Sequence, residues 1–193
     1  MQRATGTDMR HFLSSLTLFL ILWTTGTYIC FIEFREKSPP SNSFRSLQIV
    51  SCHDADTCLA KSPQGLCFQL RLAGIDAPEL GGQNDAGQIF GRESTEAVNA
   101  LLKGQWVHAT LESGDPYGRH LAWLWDISTQ KLWNETFIKR GLAFAYQKPC
   151  TWKSTWKWAD DAEKEAKRTR RGLWSLRKKP LRPWIFRRKN KHC

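Results

Sequence analysis

The sequence predicts one α+β domain over residues 46–175, a small closed barrel of strands with helices packed against it. Apolar and turn-forming residues give the order strand–strand–strand–helix–strand–strand–helix–helix, which suits that architecture. A chain of 193 residues with 41% hydrophobic content buries one ordinary core. No internal repeat divides it.

Each element has a local reason. "SLQIVSC" (46–52), "DTCLA" (56–60) and "LCFQLRLAGI" (66–75) read as strands, the last two joined by the turn "KSPQG". In "STEAVNALLKG" (94–104), Ala97, Val98, Leu101 and Leu102 recur at helical spacing and Gly104 supplies the stop. "QWVHATLE" (105–112) and "RHLAWLWDI" (119–127) are strands around the turn "SGDPYG". A second helix, "LWNETFIKRG" (132–141), ends at Gly141. The third, "WKWADDAEKEAKRTRRG" (156–172), carries acids early and bases late, as a helix dipole prefers. Asn134-Glu135-Thr136 fits a glycosylation sequon but falls within the second helix and is read as a chance match.

Residues 12–32, "FLSSLTLFLILWTTGTYICFI", form a run of 21 residues without a charge. As a helix it spans a bilayer core of ~30 Å. The expectation is a single-pass signal anchor, with residues 1–11 as a leader kept inside and the domain outside the cytoplasm. The alternative is a cleaved signal peptide and a secreted protein, but no small-x-small site follows the run cleanly. Basic residues on its two sides give no decisive asymmetry. Residues 33–45, rich in Pro, Ser and Asn at their end, read as a linker.

The net charge of +11 is unevenly placed. Residues 1–150 hold fourteen bases and fourteen acids, whereas residues 151–193 hold fifteen bases and four acids. The excess therefore sits in the last 43 positions, interleaved with Trp152, Trp156, Trp158, Trp174 and Trp184. That is the footprint of a polyanion partner, nucleic acid or anionic lipid headgroups. Residues 176–193 read as a basic aromatic tail. The six cysteines lack CxxC spacing, which argues against a zinc site. Cys58 and Cys67 are read as small buried apolar residues; because they flank a turn, a disulfide between them is the alternative if the domain is exported.

Four stretches carry chemistry: "DADT" (54–57), "RLAGIDAPE" (71–79), "DPYGR" (115–119) and "NETFIKRGLAFAY" (134–146). On a strand Asp54 and Asp56 share a face, so their charges repel unless a cation intervenes. In this order the stretches resemble the staphylococcal nuclease (thermonuclease) family. The likeness covers about residues 47–175, and extends to the closing "RRGLWS" and to "PLRPWIFRR" in the tail.

The resemblance implies a five-stranded OB-fold barrel with three helices, preceded here by the membrane helix. It implies a Ca²⁺-dependent phosphodiesterase that hydrolyses DNA and RNA as a monomer. Asp56 and Asp76 would be the carboxylate ligands of Ca²⁺, with the backbone carbonyl of Ala77. Glu79 matches the carboxylate beside the attacking water, and Arg71 and Arg119 match the two guanidinium groups on the scissile phosphate. Tyr117 and Tyr146 match substrate-binding tyrosines, and Asp54 an acidic neighbour outside the direct ligand set. The chemistry makes sense of these types: a hard cation takes oxygen ligands, arginine grips two phosphate oxygens at once, and a carboxylate orients or deprotonates water. Ala55 stands where glycine is more usual, at a cost of about 1 kcal/mol if the position needs positive φ. Pro116 replaces a lysine near the nucleotide. The alternative is a catalytically inactive OB-fold module that binds nucleic acid or protein; degenerate relatives lose the aspartates or arginines, and here all stand.

Overall fold

The computed structural model describes residues 44–82, 87–146, 156–178 and 180–190. The expected membrane-spanning run at 12–32 lies outside them; among the described residues no helix is long and apolar enough to cross a membrane.

Five strands close into a barrel: β1 (Arg45–Asp54), β2 (Thr57–Lys61), β3 (Cys67–Leu72), β5 (Trp106–Gly114) and β6 (His120–Asp126), in the order β1-β2-β3-β6-β5. β1 is long enough to pair with β2 through its second half and with β5 through its first, which closes the cylinder. An irregularity between Ile49 and Ser51 shifts the inward positions of β1 from Leu47 and Ile49 to Cys52. One extra residue reverses the in–out parity of a strand, so it bends and stays buried on one face. Leu47, Ile49, Leu70, Leu72, Val107 and Leu124 fill the interior.

The third strand is shorter than the sequence suggested. It stops at Leu72, the chain turns at Gly74 in the left-handed region (φ 74°), and a two-residue strand β4 (Ile75–Asp76) pairs instead with β7 (Phe144–Ala145). Gly74 also lies against the fully buried Trp123 ring. Buried Asn134 pins this turn: its amide donates to the carbonyls of Ala73 and Ala122, and its carbonyl accepts from the Leu124 N–H. The sequon asparagine is thus a core residue, in keeping with its reading as a chance match.

Helices cover the rest of the barrel. α1 (Gly91–Leu102) packs Val98 and Leu102 inward, and α2 (Trp133–Lys139) packs Phe137 and Ile138. α3 (Trp156–Arg168) contributes Trp158, Ala159 and Ala162 to the same core. Its first turn carries no acid, while Lys167 and Arg168 end it. A short 3₁₀ turn (Gly172–Ser175) follows, then a fourth helix, α4 (Pro183–Lys189). Among the described residues the three expected helices are therefore four. The fourth was missed because "PWIFRRK" is short and carries no helical apolar stripe; Pro183 at its first turn and contacts to the domain make it.

The cysteine pairing also differs from expectation. Cys52 and Cys58 form the disulfide, and Cys67 is free and exposed. Strand register decides this: Cys52 faces Cys58 across β1–β2, whereas Cys58 faces Leu70 and Cys67 faces Lys61.

Candidate active site

The turn between β1 and β2 carries Asp54, Ala55 and Asp56, and the Cys52–Cys58 bond closes it six residues apart. Asp54 accepts from the Asp56 N–H (3.0 Å), which folds the turn back on itself. Ala55 is fully buried and is not among the residues with positive φ, so the feared backbone strain is absent. Asp56 is buried; its Oδ1 accepts from the Thr57 hydroxyl (3.0 Å) and its Oδ2 from the Ala77 N–H (2.6 Å). Ala77 thus reaches the cluster through its N–H.

Arg71, near the end of β3, ties the two carboxylates together. Its Nη1 donates to the carbonyls of Leu72 and Ile75 (3.0 Å each), which fixes the plane of the guanidinium. Its Nη2 then lies 2.9 Å from Asp76 Oδ1 and 3.2 Å from Asp56 Oδ2. Arg119 enters from the start of the β6 side. Asp115 holds it in a fork, at 2.8 Å from Nε and 2.7 Å from Nη2, and its Nη1 reaches the Thr57 hydroxyl (3.3 Å). Thr57 therefore joins Asp56 to Arg119, a link that the motif spacing did not reveal.

Glu79 follows the β4 turn in an extended segment held to residues 87–91. Its N–H donates to the Gln88 side-chain carbonyl (3.1 Å) and its carbonyl accepts from the Gln88 N–H (2.8 Å). A Cβ on Gly91 would lie 2.2 Å from the Glu79 carbonyl oxygen, so glycine is what lets α1 begin this close to the segment.

These residues line one cleft of about 910 Å³, which brings together Asp54, Asp56, Arg71, Glu79, Arg119 and the two tyrosines. Tyr117 is 81% exposed at the rim, with the Arg119 guanidinium 5.5 Å from its ring centre. Tyr146 packs at a tilt against Trp184 of α4 (5.0 Å between centres). Asp76 is fully buried beneath the cleft and is reached through its arginine partners. All nine sequence-derived positions are thus at one place in the fold.

One participant was not anticipated. Arg187 of α4 donates through Nη1 to Glu79, while its Nη2 lies 3.2 Å and 2.9 Å from the two oxygens of Asp76. Only "PWIFRR" hinted at it, and a motif in a basic tail does not disclose a partner 108 positions away.

The electrostatics of the cluster are those of too many buried acids. Burial, then the charge of Asp56, pushes Asp54 up to about 7. The same causes push Asp76 up to about 6, against Arg71 and Arg187, which favour its ionised form. A divalent cation would relieve that crowding. Among the described residues no three His, Cys, Asp or Glu side chains are placed to hold a metal by themselves. Asp56 and Asp76 instead offer hard oxygen donors that are engaged by hydrogen bonds and arginine partners, which a cation would have to replace. That donor chemistry fits an oxygen-preferring divalent ion and does not fit a sulfur- or imidazole-bound one.

Comparison with known proteins accords with this arrangement. A family model described as "Staphylococcal nuclease homologue" matches residues 69–176. The chain is 26% identical over 176 residues to the thermonuclease of Staphylococcus hyicus, covering 84% of this chain and 99% of that protein. It is 31% identical over 140 residues to an uncharacterized endonuclease of Escherichia coli O157:H7, covering 72% and 83% respectively. Against the probable staphylococcal-like nuclease CAN3 of Oryza sativa subsp. japonica the identity is 32% over 147 residues, 76% of this chain but 34% of the rice protein.

Proposed function

Because the chain belongs to the staphylococcal nuclease family, we propose that it is a calcium-dependent phosphodiesterase that hydrolyses DNA and RNA with low sequence specificity. The observation that carries this reading is the convergence of Asp56, Arg71, Arg119 and Glu79 on one cleft, with Asp76 buried beneath it and paired to Arg71.

A phosphodiester repels nucleophiles because it is already anionic. Arg71 and Arg119 answer that problem: each is locked by acceptors that leave part of its guanidinium facing the cleft, and a fixed fork binds two phosphate oxygens and keeps its charge. Asp56 and Asp76 would hold Ca²⁺, which when bound supplies positive charge to the phosphate and to a neighbouring water. Glu79, on the cleft wall, accepts a hydrogen bond from the attacking water and takes its proton; such general-base help is worth ~10²–10⁴-fold. Thr57 and Asp115 keep Asp56 and Arg119 in register. Tyr117 at the rim and Tyr146 beside it offer faces for bases to stack upon.

Placement in the cell belongs to the same reading. The apolar run at 12–32 supports a membrane-anchored monomer with the nuclease domain outside the cytoplasm, and the basic C-terminal region supports contact with nucleic acid and anionic lipid headgroups. Cleavage of single-stranded DNA and of RNA by the purified full chain is expected in calcium, to be weaker in magnesium and to be abolished by chelator. Equal rates in chelator would contradict the assignment.

A further inference from the structure

The C-terminal segment is built onto the domain through contacts made mostly away from the cleft carboxylates. Arg182 makes a two-pronged pair with buried Glu163 of α3 (2.6 and 2.8 Å), and Glu163 also accepts from Lys167 (2.6 Å) and from the Ala145 N–H (2.8 Å). The Arg182 guanidinium lies over the Phe144 and Trp184 rings. Gln88 donates to the Leu181 carbonyl (3.0 Å), and Pro183 is buried. A seven-residue helix has little stability alone; these anchors fix where it lies. It then delivers one arginine to the site, while Arg188 and Lys189 are exposed.

That arginine meets the carboxylates in a particular way. Asp76 Oδ1 accepts from Arg71 and Arg187, and Oδ2 from Arg187. Both oxygens are thus covered by guanidinium nitrogens. Arg71 is held in place by two backbone carbonyls as well as by Asp56. Arg187 has Asp76 and Glu79 as its partners in the cleft, and its side chain is 43% exposed. A cation that needs an oxygen of Asp76 must displace one of the two arginines, and Arg187 is the one free to swing toward solvent.

We propose that Arg187 is a positioning residue of the site, an internal guanidinium that competes with the divalent cation for Asp76 and thereby sets the cation concentration at which the site is complete. The inference rests on the calcium reading above. Because α4 is tethered, its arginine acts at a high effective concentration, and any ligand of Asp76 binds against it. Displaced, the fork remains at the cleft wall beside Glu79.

Calcium affinity, measured by titration calorimetry on the intact chain without nucleic acid, tests this independently of turnover. Arg187→Gln is expected to bind calcium about tenfold more tightly than wild type, and Arg187→Lys several-fold more tightly, since one ammonium cannot span both carboxylates. Arg188→Gln, which removes the same charge one residue away, is expected to stay within about twofold. Unchanged or weaker calcium binding in both Arg187 variants would overturn the proposal. So would equal tightening in Arg188→Gln, which would reduce the effect to general charge. Absence of calcium binding in every protein, wild type included, would sink the calcium reading and this inference together; binding by wild type without a gain in the Arg187 variants sinks the inference alone.

Discussion

The residues most legible in the sequence are those whose chemistry is rare on the elements that carry them. Two aspartates two positions apart, read as one strand face but placed by the structure at the β1–β2 turn, and an arginine five positions before an Asp-x-Pro-Glu ask for a partner that a surface segment would not need. Asp56 meets Ala77, 21 positions away, and Arg71, which strand register sets opposite the neighbouring Thr57, so the motifs already contain both partners. Thr57 and Gln88 were not legible, because a threonine or glutamine of that type occurs anywhere and only its hydrogen bonds distinguish it. The cost of the acid cluster has a sign that can be checked. Asp54 titrates higher in the fold than its ordinary value of 3.8, so the fold is penalised as pH rises through 4, fully so above about 7. Asp54→Asn keeps an oxygen for the Asp56 N–H and removes the charge. In chelator it is expected to stabilise the protein by about 2 kcal/mol at pH 8 and to have little effect near pH 3, by denaturant unfolding at each pH. A loss of stability at pH 8 would show that the charge is favourable where it sits.

At the scale of elements, periodicity found the five barrel strands and the first three helices, while ends and breaks depended on contacts invisible in one dimension. The third strand reads as continuous because its apolar residues continue to Ile75; the break at Gly74 is imposed by Trp123 and by the Asn134 hydrogen bonds. The Cys52–Cys58 disulfide was not legible because two cysteines flanking a turn, Cys58 and Cys67, are the pair that spacing offers until the register places Cys58 opposite Cys52. The approach of α1 to the Glu79 segment is another such contact. Gly91→Ala introduces a methyl carbon 2.2 Å from the Glu79 carbonyl oxygen, a distance the backbone must relieve by moving. In the proposed mechanism a shift of this kind would move the Glu79 carboxylate away from the attacking water, and a misplacement near 1 Å costs up to ~10²-fold. The expected result is a turnover at least about tenfold lower, with calcium affinity near wild type, because Asp56 and Asp76 stand on other elements. Unchanged turnover would mean that the segment yields without disturbing Glu79.

On the scale of the whole molecule, the charge count marked the last 43 residues as basic and aromatic, and composition alone made residues 176–193 a tail. Folding turns part of that tail back onto the domain: Arg182 is taken up by Glu163, Trp184 by Tyr146 and Arg187 by Asp76 and Glu79. A long-range ion pair leaves no trace in local spacing, which is why the segment's second role was hidden while its charge was plain. The barrel, the three helices and the docked fourth bring two acids, two arginines and a glutamate together at one place in the fold. The most direct measurement is the single-turnover rate of single-stranded DNA cleavage in saturating calcium, for the wild-type chain beside Glu79→Gln and Arg71→Ala. The geometry predicts that the wild type cleaves and that each substitution lowers the rate by at least about a hundredfold. A folded wild-type protein that does not cleave, or variants that cleave at its rate, would contradict it.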